Sequence, residues 1–415
     1  MRNIRTIKDV VDWGLCVGCG ACQYFCGNDL ISLENIESLG IRPRFKKNTS
    51  LTYSECLKFC PGYSIDAGQN SKERTTQSDL HPLIGPTIEI WEGFAADSDV
   101  RYSASSGGIL SALSLYCLEK EKMSFVLHTG MNPVKPWMNT TVQSKNRSDL
   151  LEHAGSRYAP SSPCDSLSLI EKSENPCVFI GKPCDAMAVS LLRKHRPDLN
   201  KNLGLVMTFF CAGPPCTQGT LDLIEKMGIN AGEIDSIRYR GNGWPGNFIV
   251  RYNKKGSIKT LTYKEAWGAL AKNPRAFRCH LCPDGLGEFA DISCGDAWHR
   301  YTDNEDPGRS LILVRTERGK DIISKAVSAG YIEIMPSDAS MVMAAQGLPR
   351  RNSELFGRLL AMKLLLVPTP KYDGYNLFDV WWKNPVSVKM KTILGTIRRI
   401  LLRGLWHRKQ LFRDA

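Results

Sequence analysis

The sequence predicts an α/β fold with mixed α+β character, made of a small cysteine-rich unit, a larger body and a basic helical tail. Three observations lead to this prediction. Cysteines cluster near the amino terminus, short apolar runs alternate with helical patterns through the middle of the chain, and positive charge collects in an amphipathic stretch beyond them. The predicted boundaries are residues 1–66 for the first unit, 67–87 for a linker, 88–370 for the body and 371–415 for the tail.

The length, cysteine content and charge of the chain exclude some classes of protein. The chain has 415 residues, 15 cysteines and a formal net charge of +12. The amino terminus has no apolar leader and no apolar run is long enough to span a membrane, so we expect a cytoplasmic protein in which cysteines serve metal or redox chemistry rather than disulfides. Residues 383–415 contain nine Lys or Arg and one acid. Since most of the excess charge lies there, we expect no nucleic-acid partner.

The first unit carries a C-x2-C-x2-C-x3-C run at residues 16–26, the spacing with which bacterial ferredoxins hold iron–sulfur clusters. Three thiolates of such a run hold one cluster, and a distant Cys-Pro supplies the fourth ligand. We therefore predict a ferredoxin-like domain with one 4Fe–4S cluster, whose ligands are Cys16, Cys19, Cys22 and Cys60. The second half-repeat lacks its first two cysteines, which leaves Cys26 and Cys56 as the remnant of a second site. Zinc is the alternative, although C-x2-C-x2-C is crowded for a tetrahedral ion.

Strand and helix patterns alternate in the body. The predicted strands are 125–128, 177–180, 205–210, 234–239, 248–252 and 311–315. The predicted helices are 108–119, 185–194, 218–227 and 318–328. This alternation indicates a mainly parallel sheet with helices packed on it, together with an antiparallel part around residues 234–262.

Two turns of the body have the composition of ligand-binding turns. Residues 103–108, Ser-Ala-Ser-Ser-Gly-Gly, precede a helical pattern, where backbone N–H groups can approach a phosphate; an ordinary helix-capping turn is the alternative. Residues 177–185 run from a buried strand through Gly181, Lys182 and Pro183 into a helix that begins near Cys184. Ligands of open α/β sheets bind at such strand ends, and a helix amino terminus stabilises a thiolate. A structural turn with a buried cysteine is the alternative.

Four further cysteines suggest a second metal site. Cys279 and Cys282 form a C-x2-C pair, and both Cys184 and Cys211 follow predicted strands. Because strand ends converge at one edge of a sheet, these four thiols could hold a second cluster; zinc competes here as well.

Several motifs in a fixed order resemble one known family. They are Ser-x-Ser-Ser-Gly-Gly at 103–108, Gly-Ser-Arg-Tyr at 155–158, Gly-Lys-Pro-Cys at 181–184, Phe-Phe-Cys-x-Gly at 209–213, Tyr-Arg-Gly-Asn-Gly-Trp-Pro-Gly at 239–246, Cys-x2-Cys-x-Asp at 279–284 and Ala-Asp-Ile-Ser-x-Gly-Asp at 290–296. Over about residues 10–300 this combination resembles the coenzyme F420 hydrogenase/dehydrogenase beta-subunit family. The family exchanges electrons with a deazaflavin through a bound flavin.

The resemblance implies FAD in the body, a 4Fe–4S cluster beside it and a ferredoxin-like domain in front. It assigns the body cluster to Cys184, Cys211, Cys279 and Cys282. It assigns flavin contacts to Ser105, Ser106, Gly107, Gly108, Gly181, Lys182 and Pro183, with Ser156, Arg157 and Arg240 as further contacts. The chain departs from the family pattern at Lys182, where a Thr is expected, and at Cys294, an extra thiol that is not counted as a ligand.

The parts together predict an iron–sulfur flavoprotein oxidoreductase with two 4Fe–4S clusters. It would exchange electrons with a small-molecule redox substrate, a deazaflavin or another organic compound, and pass them to a ferredoxin or a partner redox subunit. Lys182 is the one candidate catalytic residue. The candidate proton donors are His128, His153, His280 and His299. The alternatives are a non-catalytic electron-transfer subunit and a zinc-stabilised binding protein.

The tail has apolar residues at helical spacing from Val386 to Leu405, with Lys and Arg on the other faces. A basic amphipathic helix of this kind can lie on an anionic membrane surface, dock on a partner or pack on its own body. Peripheral membrane contact is therefore one expectation for this segment.

Overall fold

The structure is a computed structural model that describes residues 3–46, 50–68, 79–254, 256–302 and 306–412. Most of the predicted linker, residues 69–78, lies outside the described residues. The remainder of the linker contains a short antiparallel hairpin of β4 (Asp79–His81) and β5 (Gly85–Thr87). The body follows this hairpin directly in the sequence.

The first unit contains short elements around a cysteine-rich loop. Its helices are α1 (Ile7–Asp12), α2 (Ala21–Cys26) and α3 (Ser50–Glu55), followed by a 3-10 helix (Cys56–Phe59). Its strands are β1 (Ile31–Ile36), β2 (Gly40–Phe45) and β3 (Ser64–Asp66). The antiparallel β1–β2 hairpin separates the two half-repeats, so that both cysteine segments face the same apolar core.

An eight-stranded sheet forms the centre of the body, in the order β16-β6-β15-β14-β10-β9-β7-β8. The strands are β6 (Glu89–Ala95), β7 (Val126–Met131), β8 (Asn139–Ser144), β9 (Cys177–Gly181), β10 (Leu203–Phe209), β14 (Ile292–Asp296), β15 (Ser310–Val314) and β16 (Ile332–Pro336). The prediction of a mainly parallel sheet is wrong, because only β7, β9, β10 and β14 run parallel and the other four strands pair antiparallel. Residues 132–138, which join β7 to β8, are too few for a crossover helix and force an antiparallel pair.

Helices cover the sheet and connect its strands. They are α4 (Ser98–Ser103), α5 (Ile109–Glu119), α6 (Arg147–Glu152), α7 (Leu167–Glu171), α8 (Pro183–Leu192), α9 (Pro197–Asn202), α10 (Thr217–Lys226), α11 (Tyr263–Leu270), α12 (Glu317–Ser328), α13 (Ala339–Ala345), α14 (Leu348–Ser353) and α15 (Leu355–Leu364). Shorter 3-10 helices span Pro163–Ser166, Ala231–Glu233, Phe277–Leu281 and Trp298–Arg300. The four predicted helices match α5, α8, α10 and α12, since the apolar spacing of each follows its buried face.

A separate three-stranded sheet forms the predicted antiparallel part. It consists of β11 (Ile234–Arg238), β12 (Phe248–Tyr252) and β13 (Ser257–Leu261), paired antiparallel in chain order. Phe248 and Val250 of its central strand are fully buried against α10 and α11. This small sheet brings the loop after β11 to the edge of the large sheet.

The tail packs on both other parts of the molecule. Strand β17 (Lys371–Asp373) pairs parallel with β3 of the first unit. Helices α16 (Leu377–Trp382) and α17 (Val386–Leu402) pack on α15. Beyond α17, the guanidinium of Arg408 lies 2.8 Å from Asp9 and 2.9 Å from Asp12 of the first unit. Among the described residues, every helix is too short or too polar to cross a lipid bilayer.

Candidate functional site

The first unit gathers its four predicted ligands around one cavity. Cys16, Cys19, Cys22 and Cys60 all line a cavity of about 380 Å³. The loop can curl around it because Gly18 and Gly20 adopt positive φ angles of 71° and 89°, which favour glycine. The Gly18 amide donates a hydrogen bond to Cys16 Sγ at 3.4 Å. A thiol set with inward N–H groups is the donor arrangement that an iron–sulfur cluster uses.

Burial opposes the ionisation of three of these thiols, whereas a hydrogen bond with Cys164 lowers the pKa of Cys19. Burial raises the pKa of Cys16, Cys22 and Cys60 above the ordinary value of a thiol. A cysteine binds a metal only as the thiolate. A cationic group in the cavity must therefore stabilise the buried thiolates, because water cannot reach them.

Cys26 and Cys56 do not join this set of four. Their Sγ atoms lie 2.9 Å from each other, with Cys26 partly exposed and Cys56 fully buried. Cys56 borders the cavity, whereas Cys26 ends α2 outside its lining.

A second cavity lies between the first unit and the carboxyl ends of the parallel strands. It has a volume of about 740 Å³ and its lining includes all four predicted body ligands, Cys184, Cys211, Cys279 and Cys282. Cys184 stands at the second position of α8, and Cys211 follows β10, where the Gly213 amide donates to its Sγ at 3.4 Å. Burial raises the pKa of Cys211 to about 11 and that of Cys282 to about 12. The structure therefore brings together the two strand-end thiols and the C-x2-C pair.

The two cavities share a wall. Val17 and Gly18 line both of them. Arg278 ties the two sides together: its guanidinium donates to the carbonyl of Pro61 at 2.7 Å and to that of Leu281 at 2.9 Å. Because Pro61 follows Cys60 and Leu281 precedes Cys282, this single buried side chain fixes one ligand segment of each cavity relative to the other.

Two arginines bind the loops that carry Cys211 and Cys279. Arg275 donates to the Ala212 carbonyl at 2.7 Å, and Arg351 donates to the carbonyls of Ala212 and Cys279 at 3.1 and 2.8 Å. These cations hold the two ligand loops and favour negative charge between them. Burial, with added repulsion from neighbouring arginines, lowers the pKa of His280 to about 2.

Lys182 forms a buried ion pair at the edge of the same cavity. Its Nζ lies 2.8 Å from Asp185 Oδ2 and also donates to the carbonyl and hydroxyl of Ser161, at 2.8 and 2.9 Å. The Lys182 backbone amide donates to the same carboxylate at 2.8 Å. Burial opposes the lysine charge, but Asp185 and Cys184 outweigh it and raise the pKa of Lys182 above its ordinary value. The amine is therefore a fixed cation at the start of α8.

The predicted flavin turn at residues 105–108 packs against the start of β15. Gly93 of β6 and Asp296 of β14 both pair with Ser310 of β15, and the Gly107 amide donates to Ser310 Oγ at 3.0 Å. Ser106 Oγ lies 3.0 Å from the same hydroxyl. The turn thus lies directly over the strand ends.

Ser156 and Arg240 close around the turn from the other side. The Ser156 amide and the Arg240 guanidinium both contact Ser105, through its hydroxyl and its carbonyl. Arg240 is buried and pairs with both oxygens of Asp296, at 2.8 and 2.9 Å. Arg157 lies apart from the turn, and its guanidinium donates to the carbonyls of Pro136, Met138 and Ile237.

The glycines of these turns are required by packing within the protein. A Cβ on Gly107 would lie 2.5 Å from the Gly93 carbonyl oxygen, and one on Gly181 would lie 2.8 Å from Asp185 Cβ. Gly108 has a φ of 79° immediately before α5. The glycine pattern therefore has a structural explanation, and what the turn offers to a flavin is the backbone at the amino terminus of α5 rather than free side chains.

The donor sets can be compared with the groups that they would hold. Each cavity is lined by five cysteines, its four predicted ligands and one more, which is Cys56 in the first unit and Cys216 in the body. Beside the body cavity, buried Asp185 Oδ1 and Arg278 Nε have no hydrogen-bond partner among the described residues. Within those residues, no three His, Cys, Asp or Glu side chains are close enough to hold a single metal ion. Four thiols spread around a cavity fit a polynuclear cluster better than a single zinc ion, whose ligands lie closer together.

Two of the four candidate proton donors lie against each other. His128 is buried and contacts Ser144 Oγ at 2.7 Å, and burial lowers its pKa to about 4. His153 lies against it, with ring centroids 5.8 Å apart. His299 Nε2 lies 2.9 Å from Glu92 Oε1, and none of the four lines either cavity.

Sequence reasoning did not assign roles to three acidic residues of the site. Asp185 holds Lys182, Asp296 holds Arg240, and the carboxylate of Asp284 accepts from the amides of Leu286, Gly287 and Glu288 after the C-x2-C pair. Each of these carboxylates lies within or directly beside a motif that carries a predicted ligand or contact. That position in the sequence could have identified the residue as part of the site.

Known proteins share this architecture. Models of the coenzyme F420 hydrogenase/dehydrogenase beta subunit match residues 90–168 with their N-terminal part and residues 175–340 with their C-terminal part. Together these matches cover more than half of the chain, and the chain belongs to this family. The resemblance seen in the motifs is confirmed.

Individual relatives agree with the family assignment. The coenzyme F420 hydrogenase subunit beta of Methanococcus voltae is 29% identical over 248 residues, which cover 58% of this chain and 81% of that protein. An F(420)H(2) dehydrogenase subunit of Methanosarcina mazei is 23% identical over 366 residues, 86% of this chain and 91% of that protein. The coenzyme F420-dependent sulfite reductase of Methanocaldococcus jannaschii is 24% identical over 335 residues, 76% of this chain and 46% of that protein.

A solved structure supports the fold. A chain of the F420-reducing nickel–iron hydrogenase complex from Methanosarcina barkeri, in a xenon derivative, superposes with a TM-score of 0.53 at 22% identity. The superposition covers 72% of this chain and 99% of that chain. The mixed α/β architecture is therefore one that a known redox complex also contains.

Proposed function

We propose that the protein is an iron–sulfur flavoprotein oxidoreductase that moves electrons between an organic substrate of the deazaflavin class and a partner redox protein. The observation that carries this proposal is the pair of cysteine-lined cavities, each containing its four predicted ligands, that share Val17 and Gly18 as a wall. Two clusters held on either side of one short backbone segment would be close enough to exchange electrons. The family assignment and the names of the relatives support the same chemistry.

The two cavities would have different tasks. Cys184, Cys211, Cys279 and Cys282 would hold a 4Fe–4S cluster at the carboxyl edge of the sheet, where ligands of open α/β sheets bind. Cys16, Cys19, Cys22 and Cys60 would hold a second one further from the body. The first unit is then the route to a ferredoxin or a partner redox subunit, because its cavity lies on the far side of the shared wall.

A bound FAD would complete the site in the body. Its isoalloxazine ring supplies the exchange between two-electron and one-electron chemistry. The backbone at Ser105–Gly108 would receive the phosphates at the start of α5, and Lys182 would provide a fixed positive charge beside Cys184 at the start of α8. Lys182 is the residue we propose to position the flavin, since Ser161 and Asp185 hold its amine in place.

The content of metal and flavin tests this proposal. Protein purified under anaerobic conditions should contain about eight irons per chain and absorb broadly near 400 nm, as 4Fe–4S proteins do. Cys279→Ala should lose about half of the iron, and Cys16→Ala the other half. Cys117→Ala is the matched control, because Cys117 is fully buried in α5 and lines neither cavity. A colourless protein that contains zinc would support the binding-protein alternative instead.

Turnover separates an enzyme from an electron-transfer subunit. The isolated protein, with FAD identified by acid extraction, should oxidise a reduced deazaflavin with a viologen as electron acceptor. Reduction of its clusters by a partner without any reaction of the deazaflavin would favour the non-catalytic alternative. We further propose that it works in the cytoplasm, with the tail as a point of peripheral membrane contact.

A further inference from the structure

Cys26 and Cys56 form a pair of thiols that the proposed clusters leave unused. Cys26 is the last residue of α2, and Cys56 is the first residue of the 3-10 helix that leads to Cys60. Their Sγ atoms are 2.9 Å apart. The neighbouring rings of Phe25 and Phe59, with centroids 4.5 Å apart, pack the same two segments together. The contact is therefore built into the packing of the unit.

A second cluster does not fit between these thiols. In a C-x2-C-x2-C-x3-C repeat that ends at Cys60, the two missing cysteines would stand at Ser50 and Tyr53. Tyr53 is buried, and its hydroxyl donates to the carbonyls of Leu30 and Lys46 at 3.2 and 2.9 Å. Two of the four ligands are thus replaced, one of them by a tyrosine engaged with backbone, and the remaining two sulfur atoms touch each other.

We propose that Cys26 and Cys56 form a redox-active dithiol site that closes reversibly to a disulfide. The partly exposed Cys26 would attack an external low-molecular-weight disulfide as the thiolate, releasing one thiol and forming a mixed disulfide. Cys56 would then displace the second external thiol and join Cys26. One external disulfide is reduced to two thiols for each protein disulfide formed, and an external dithiol reverses the reaction.

The bond would affect the neighbouring cavity. Helix α2 carries Cys22, and the chain from Cys56 leads to Cys60. A disulfide between Cys26 and Cys56 would therefore cross-link the two segments that bring ligands from opposite halves of the unit. Closing this loop restricts the unfolded chain and should make the oxidised unit more resistant to unfolding.

Thiol mapping of the full-length protein tests the site. The anaerobic, cluster-containing protein is incubated with glutathione disulfide, alkylated with N-ethylmaleimide under denaturing conditions and analysed by peptide mass spectrometry. We expect alkylation of Cys26 and Cys56 to be lost together, with a cross-linked peptide that reduced dithiothreitol removes. Cys26→Ser should abolish the cross-link and leave Cys56 alkylated. The matched control Cys117→Ser, which alters a buried thiol of the body, should retain it.

Two results would overturn the inference. One is full alkylation of both residues at every ratio of oxidised to reduced glutathione. The other is a loss of iron in Cys26→Ser, which would make Cys26 a cluster ligand. Iron content and visible absorption test the proposed clusters separately, so a disulfide that closes in an iron-free protein would support the dithiol site and contradict the proposed function.

Discussion

The buried Lys182–Asp185 ion pair holds part of the candidate site together. The side chains are 6% and 0% exposed, so neither charge can be solvated by water if its partner is removed. The pair also anchors Ser161, and it lies directly beside Cys184. Its contribution is therefore to position the start of α8 rather than to gain energy from the ion pair itself.

Asp185→Asn should lower the free energy of unfolding by roughly 3–5 kcal/mol, because it leaves a buried ammonium without its counter-charge. Urea unfolding under anaerobic conditions measures the effect. The control is Asp321→Asn, which breaks the exposed pair with Lys325 and should cost less than about 1 kcal/mol. Equal effects of the two substitutions would mean that the buried pair has no special role.

His128 should make the protein sensitive to mild acid. Burial lowers its pKa to about 4, below the ordinary 6.5, so the unfolded chain takes up this proton before the folded protein does. The part of the folding stability that depends on neutral His128 is therefore fully present above pH 6.5 and is lost as the pH falls toward 4. By linkage, the loss amounts to roughly 3 kcal/mol at the acid end.

Denaturant unfolding at pH 7 and pH 4.5 measures this effect as a difference between variants. His128→Gln should remove much of the pH dependence, whereas the exposed His195→Gln should leave it unchanged. An unaltered pH dependence in His128→Gln would refute the assignment.

At the scale of elements, the turn after α4 depends on close backbone contacts. Gly107 lies between β6 and β15, where a Cβ would meet the Gly93 carbonyl at 2.5 Å and the Ser310 amide at 2.8 Å. Backbone atoms cannot move aside as a flexible side chain can. The turn must therefore separate from the strands if this residue gains a methyl group.

Gly107→Ala should destabilise the protein by about 1–3 kcal/mol through overpacking and should also weaken flavin binding. Gly268→Ala is the matched control: this helical glycine has open space around its Cβ position, and alanine should stabilise α11 by about 0.5–1 kcal/mol. Thermal unfolding and flavin titration measure both variants. A Gly107→Ala protein as stable as the wild type would disprove the packing argument.

The elements that sequence could predict are those with a strong local pattern. The motif-bearing strands β9 and β10 and helices α5, α8, α10 and α12 were found within a few residues, because apolar spacing records which face is buried. Strand β6 was missed, since Glu89–Ala95 mixes acids, glycine and aromatics. Glu92, buried at 1% exposure, is held there by His299 and Arg300, partners more than two hundred residues away in sequence.

The same limit applies to the candidate site. Cysteine spacing was sufficient to select two sets of four thiols that line two cavities. Cysteine spacing could not show that Val17 and Gly18 line both cavities, because that depends on how the first unit packs on the body. Nor could spacing show that Arg240 is buried against Asp296, since the two residues come from different parts of the chain.

At the scale of the whole molecule, the tail helix has an unusual distribution of exposed residues. Helix α17 buries Thr392, Thr396 and Ile400, while Val386, Met390 and Leu394 are 72%, 50% and 56% exposed. Nearby, Trp382 of α16 is 61% exposed, and the Lys389 ammonium lies 4.2 Å from its ring centroid. An apolar stripe beside lysines matches the interface of an anionic bilayer.

We expect the protein to sediment with vesicles that contain phosphatidylserine and less with vesicles of phosphatidylcholine alone. The double variant Met390→Glu, Leu394→Glu should sediment several-fold less, because it removes apolar contact and adds negative charge. Val134→Glu alters a surface residue that is 82% exposed and lies outside the tail, so it serves as the control. Equal sedimentation of wild type and double variant would exclude this surface as a membrane contact.

The packing of the tail also has a consequence for biosynthesis. Strand β17 pairs with β3, and Arg408 binds Asp9 and Asp12, so residues 371–409 complete the surroundings of a unit that is translated before them. More than three hundred further residues must be translated before these contacts can form. The cluster proposed for the first unit could be assembled on its cysteines during that interval, before the tail docks.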